Sequence, residues 1–144
     1  MILADELATE RLGAAIAKHL RAGDVVTLSG PLGVGKTALA RGILGALGHE
    51  GEVPSPSFAI VQPYDELDPP VWHVDLYRVD DVGELGELGL ESAAEGILLV
   101  EWPEKAGFRA WPQALGLTLE FAEGGARRLT AKVPASWQSR WPPR

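Results

Sequence analysis

The sequence predicts an α/β domain, a sheet with helices on both faces. Three features carry that expectation. Hydrophobic spacing switches between the helical and the strand period along the chain. A glycine-rich loop stands between a strand pattern and a helix pattern. The 144 residues, 46% of them hydrophobic, fit one domain over residues 1–144, with a core large enough to need no staples.

Leu7, Leu12, Ala15, Ile16 and Leu20 recur at helical spacing, with Arg11, Lys18 and His19 off the stripe and Gly23 suited to the stop. Val25, Val26, Thr27 and Leu28 read as a buried strand. A second helix follows over residues 36–47, with Leu39, Ile43, Leu44 and Leu47 as its apolar stripe and Gly48 ending it. Val53-Pro54-Ser55-Pro56-Ser57 forbids a regular helix and reads as an ordered loop. Residues 58–62 and 71–75 look like strands on either side of a turn at Asp68-Pro69-Pro70. A helix over residues 82–95 is weakened by Gly83, Gly86 and Gly89. Ile97-Leu98-Leu99-Val100 is apolar throughout, the signature of a central strand covered on both sides. Residues 115–121 and 128–133 alternate as strands near a sheet edge do, and an antiparallel pairing there makes the sheet mixed. Trp137 and Trp141 in the tail, residues 134–144, mark either a mobile docking handle or, the favoured reading, a segment packed onto the domain.

The loop is Gly30-Pro31-Leu32-Gly33-Val34-Gly35-Lys36-Thr37, which fits G-x-x-x-x-G-K-[ST], the phosphate-binding P-loop. The strand before it and the helix after it supply the context that the motif requires. The expected architecture is therefore a three-layer P-loop NTPase-like domain with a mixed central sheet. The glycines let backbone N–H groups turn inward toward phosphate oxygens, and the helix N-terminus adds partial positive charge. Lys36 is expected to reach the β- and γ-phosphates, and the Thr37 hydroxyl to ligate Mg²⁺.

A P-loop alone binds phosphate; hydrolysis or transfer also needs a carboxylate near Mg²⁺ and a group that orients the nucleophile. Asp75 and Glu101 each close an apolar strand, and ligands of open α/β sheets collect at the carboxyl ends of strands. Glu101 is the better Mg²⁺ candidate because its strand is the more clearly central. Asp75 is the candidate to polarise the attacking water or to hold Mg²⁺ through water. The plainer reading of each is a strand-end acid capping a loop. Arg78 is expected to pair with Asp75, with neutralisation of phosphate charge as the alternative. His73 stands two residues before Asp75 with no partner histidine beside it, which does not make a metal site, and is expected to form a structural hydrogen bond. Ser55 and Ser57 are candidates either for the γ-phosphate or for stabilising their own turn.

Net charge is −7 and unevenly spread: residues 65–101 hold eleven acids against one base, Arg78, leaving twelve bases against nine acids elsewhere. A uniform grip on a nucleic-acid backbone needs a basic footprint, so it is not expected here, and no DNA partner is expected. The acidic stretch reads as a solvated face, with a surface for a basic partner or carboxylates gathered around Mg²⁺ as the functional alternatives. There is no cysteine, hence neither a disulfide nor a thiolate metal site. The first residues carry Asp5 and Glu6 where a secretory signal has bases, and no apolar run approaches the ~20 residues that span a bilayer, so a cytoplasmic protein without a membrane partner is expected.

Four segments taken together resemble the bacterial TsaE family: residues 30–37, Ser55-Pro56-Ser57-Phe58, His73-Val74-Asp75-Leu76-Tyr77-Arg78 and Leu99-Val100-Glu101-Trp102-Pro103. The likeness runs from about residue 4 to residue 105. The resemblance implies a small P-loop ATPase needed for threonylcarbamoyladenosine in tRNA, acting with the TsaD and TsaB proteins and meeting tRNA through them. It implies slow hydrolysis that resets that complex between turnovers. By the same resemblance Leu32, Gly33, Val34, Gly35, Lys36 and Thr37 hold the ATP phosphates, Thr37 and Glu101 hold Mg²⁺, Asp75 is the catalytic acid and Thr9 lies near the base. Ser57 stands where the family usually has threonine, keeping the hydroxyl, and Pro31 stands where it often has an acid.

Two other classes remain open on the residues themselves. One is a small-molecule kinase, which would need an arginine-bearing lid, whereas residues 80–95 are acidic and carry no arginine. The other is a nucleotide-gated binding module without useful turnover. A GTPase reading lacks an Asn-Lys-x-Asp motif.

Overall fold

The computed structural model describes residues 1–54, 61–80, 90, 95–107 and 110–143. The elements run β1 (Ile2–Leu3), α1 (Glu6–Ala17), β2 (Val25–Ser29), α2 (Lys36–Ala46), β3 (Val61–Tyr64), β4 (Val71–Asp75), β5 (Ile97–Glu101), β6 (Leu115–Phe121) and β7 (Arg127–Lys132), with a 3-10 turn at Pro103–Ala106. One seven-stranded sheet has the order β1-β7-β6-β2-β5-β4-β3. Its middle is parallel, β2 pairing with both β5 and β6 and β4 with β5, while β3, β7 and β1 pair antiparallel. The sheet is mixed, as the alternating late strands led one to expect. β6 nevertheless lies well inside it, directly beside β2, so that its alternation reflects a half-covered face rather than an edge.

β5 is buried at every residue because strands flank it on both sides and side chains cover both of its faces. One face carries the main core, in which Val26, Leu28, Leu99, Leu115 and Leu117 meet Leu12 and Ile16 of α1 and Leu39, Ile43 and Leu44 of α2. The opposite face carries a smaller cluster of Val74, Leu76, Val79, Leu98 and Val100 beneath Leu90, Trp102, Ala106 and Trp111. Most of the helix expected over residues 82–95, and the loop with Ser55 and Ser57, lie outside the described residues.

Asp5 starts α1 by accepting a hydrogen bond from the Ala8 N–H at 2.8 Å, and Glu6 sits in the first turn where it complements the helix dipole. The buried line of α1 is Thr9, Leu12, Gly13, Ile16 and Ala17. Leu7 does not belong to it and is 51% exposed. Five residues before Leu12, it stands about 140° round the helix. The two helices close tightly through glycine: a Cβ on Gly42 would lie 2.1 Å from the Glu10 carbonyl oxygen, and one on Gly13 would lie 2.4 Å from that of Leu39. Arg41 then spans the seam, donating to Glu6 and Glu10 at 3.2 and 3.0 Å.

The tail packs. Trp137 is fully buried, and the Arg140 guanidinium lies 3.9 Å over its ring. Arg140 is only 6% exposed and donates to Asp24 at 2.7 Å, to the His19 carbonyl at 2.7 Å and to the Ser136 carbonyl. Since Asp24 immediately precedes β2, the tail fastens the end of the sheet away from the P-loop. Among the described residues, no helix is long and apolar enough to cross a membrane.

Candidate functional site

The residues between β2 and α2 form the floor of the site. Gly35 is the N-cap of α2 with φ 117°, a left-handed backbone that glycine adopts without strain. Gly35 brings no capping side chain and no acid stands in the first turn, so the N-terminal end of the helix is favourable to an anion. Gly30 passes so near β6 that a Cβ there would meet the Leu119 carbonyl oxygen at 2.5 Å. Arg127 of β7 braces the loop from outside by donating to the Val34 carbonyl at 2.8 Å, with its guanidinium 4.6 Å over the Phe121 ring.

Lys36 is buried among carbonyls. Its ammonium donates to the Gly30 and Pro31 carbonyls, the latter at 3.0 Å, and lies 4.0 Å from the centre of the Trp102 ring. Burial lowers its pKa below the ordinary lysine value, against the opposing pull of Glu101, Asp75 and Glu104. Trp102 follows β5 directly, in a left-handed conformation with φ 59°, and is tilted against Tyr77 with ring centres 4.9 Å apart.

The two strand-end acids are register partners, Asp75 opposite Glu101 on adjacent parallel strands. Each is 3% exposed. Asp75 accepts from the Tyr77 N–H at 2.9 Å, which turns the chain at the end of β4. Glu101 accepts from the Thr37 hydroxyl, 3.3 Å from each carboxylate oxygen. It also takes a 2.6 Å hydrogen bond from His73, a fully buried side chain. Thr37 and Glu101 thus present hard oxygen donors side by side, which suits Mg²⁺. Among the described residues there is no cluster of three or more His, Cys, Asp or Glu of metal-binding kind, so any cation here would complete its shell with ligand or water oxygens.

Lys36, Thr37, Asp75 and Glu101 border one cleft of about 240 Å³, together with Leu32, Gly33, Gly35, Arg41 and Trp102. On the other side of the loop, Thr9 borders a second pocket of about 180 Å³ with Asp5, Gly33, Val34, Gly35 and Arg127. Thr9 itself is 1% exposed and donates to the Asp5 carbonyl at 3.3 Å. The structure therefore gathers the sequence candidates in two places that share the P-loop. Arg78 is exposed, outside the residues bordering either pocket. Ser55 and Ser57 lie outside the described residues. Sequence reasoning did not single out Arg127, Arg41 or the Trp102 ring over Lys36. Arg127 and Arg41 carry no local signal, whereas Trp102 is adjacent to Glu101 in the sequence.

A mixed sheet with a P-loop at the carboxyl end of its middle strand and two acids on the neighbouring strand ends defines a P-loop NTPase-like α/β protein. The comparisons narrow this. The family model described as "Threonylcarbamoyl adenosine biosynthesis protein TsaE" matches residues 3–129, and the chain belongs to the TsaE family. Curated relatives called tRNA threonylcarbamoyladenosine biosynthesis protein TsaE include that of Streptomyces coelicolor, 46% identical over 65% of this chain and 66% of its own length. The Rickettsia felis relative of the same name is 34% identical over 88% of this chain and 75% of its own. The chain thus spans about two thirds of the first of these and more of the second. The crystal structure of Bacillus subtilis YdiB superposes with a TM-score of 0.81 at 26% identity, covering 96% of this chain and 87% of that one.

Proposed function

We propose that this chain binds ATP with Mg²⁺, hydrolyses it slowly, and serves threonylcarbamoyladenosine formation in tRNA together with the TsaD and TsaB proteins, resetting their complex between turnovers. The observation that carries the reading is the convergence of Lys36, Thr37, Asp75 and Glu101 on one cleft at the N-terminal end of α2. Membership of the TsaE family supports the pathway assignment.

In this reading the phosphates lie against the loop from Leu32 to Thr37, and the Lys36 ammonium leaves the Gly30 and Pro31 carbonyls for phosphate oxygens. Thr37 and Glu101 would hold Mg²⁺, which would supply charge neutralisation at the phosphates. Asp75 accepts a hydrogen bond from the attacking water and orients it. The nucleoside extends past the loop toward Thr9. Burial depresses the Lys36 pKa in the free protein, and a polyphosphate replaces the lost hydration with opposite charge.

The test is ATP hydrolysis by the purified protein with Mg²⁺, alone and then with TsaD, TsaB and tRNA. Lys36→Ala serves as the blank and is expected to keep the fold while losing phosphate affinity. Stimulation by the pair supports the reading. Turnover that appears only with small-molecule acceptors would replace it with a kinase, and equal ATP binding by Lys36→Ala would remove the P-loop assignment.

A further inference from the structure

His73 lies behind the cleft and meets it through a hydrogen bond to Glu101. It lies on β4 two residues before Asp75, its register partner on β5 is Leu99, and its side chain is 0% exposed. It does not border the cleft. Its Nε2 stands 2.6 Å from Glu101 Oε2, much closer than the Thr37 hydroxyl at 3.3 Å. The other ring nitrogen, Nδ1, is buried and has no hydrogen-bond partner among the described residues. A buried N–H facing a carboxylate oxygen at this distance is the donor, so Nε2 carries the proton that Glu101 accepts.

From this geometry we infer that His73 is the positioning residue of the cation site. The inference rests on reading the cleft as a Mg²⁺–nucleotide site. A glutamate side chain turns freely about its last bond, and the Thr37 hydroxyl, equally far from both oxygens, does not choose between them. The short bond from His73 does choose. It anchors Oε2 to the neighbouring strand and leaves Oε1 as the oxygen that His73 does not occupy. Because donor and acceptor sit on adjacent, hydrogen-bonded parallel strands, the sheet itself sets the orientation and no loop has to close to create it. Partners of this kind behind a metal ligand commonly change metal affinity about 10- to 100-fold when removed.

The experiment measures ADP affinity by calorimetry, once in Mg²⁺ and once in EDTA, for the wild type, His73→Leu and His73→Gln, with a thermal melt of each. Leu fills the site without a donor, and the Gln amide can place a donor near the Nε2 position. The affinity in EDTA is expected to be shared by all three within about twofold, and the gain given by Mg²⁺ to fall at least about tenfold in His73→Leu and return in His73→Gln. A wild type that gains nothing from Mg²⁺ would defeat the nucleotide reading beneath the inference. A wild type that gains and a His73→Leu that gains equally would defeat the inference alone. So would a folded His73→Gln that behaves as His73→Leu does, since packing rather than the donor would then be what matters. Should His73→Leu fail to fold, His73→Asn takes its place: its amide falls short of Glu101, and equality with His73→Gln overturns the proposal.

Discussion

Substituting alanine for Gly42 sets two physical effects against each other within one helix. Inside a helix, glycine to alanine normally stabilises by about 0.4–1 kcal/mol, because the unfolded chain loses freedom and the helix gains propensity. At Gly42 the new methyl carbon would stand 2.1 Å from the Glu10 carbonyl oxygen, with the Glu10 carbonyl carbon and Cα at 2.8 and 2.9 Å. All three are backbone atoms, so no rotamer change relieves the contact and α1 must move off α2 by roughly an ångström, a tight overpacking that costs about 1–3 kcal/mol or more. The net effect is a destabilisation of about 1–2 kcal/mol, or a fall of roughly 3–8 °C in Tm for a chain of this size. Gly45 lies in the same helix with nothing within 4 Å of its Cβ position, and Gly45→Ala should stabilise. Urea unfolding of the two variants and the wild type decides the matter by sign. If both variants gain stability, the close approach of the helices is wrong. That approach bears on function because α2 carries Lys36 and Thr37 at its start, while α1 and its N-cap supply Thr9, Glu6 and Asp5 to the two pockets.

Other perturbations reach other parts of the structure. Arg140→Ala leaves Asp24 at the foot of β2 without its buried partner and should cost about 3–5 kcal/mol, read by urea unfolding; a loss under about 1 kcal/mol would mean the tail contributes little. His49 bonds to Glu66 at 2.8 Å, which raises its pKa above 6.5 and lowers that of Glu66 below 4.5. The histidine's contribution is therefore full below pH 6.5 and fades as pH rises through its raised folded value, while the glutamate's is full above pH 4.5 and fades as pH falls through its lowered one. The Tm gap between wild type and His49→Ala should then be wider at about pH 5.5 than at about pH 9, and a gap unchanged with pH would contradict the pairing. Trp102→Ala uncovers the Lys36 ammonium, which should raise the Lys36 pKa toward the ordinary lysine value; an unchanged pKa by NMR titration would show that the indole contributes little to its burial.

The parts of the fold legible in the sequence were those written in local pattern. The P-loop stands out because its chemistry fixes four residue types at set spacing. β5 stands out because a strand covered on both faces has no polar positions, and Asp75 and Glu101 because each interrupts such a run where the sheet ends. What the sequence hid was pairing at long range. The alternation of Leu115, Leu117 and Leu119 describes a half-covered face but does not say that β6 lies beside β2. His73 could be expected to bond, but its partner is 28 residues away and follows only from the parallel register of β4 and β5. Leu7 was misplaced on α1 because its apolar character suggested a stripe that its angle round the helix excludes.

The strap made by the tail bears on where this protein may be cut. A chain shortened to the region shared with the family model would stop at residue 129, inside β7. It would discard Trp137, the bulkiest of the fully buried side chains, and the guanidinium that answers Asp24. The last residue matched by the family model and the boundary of cooperative folding thus fall at different places, and a deletion series from the carboxyl terminus should meet its cliff at Arg140, well before it reaches residue 129.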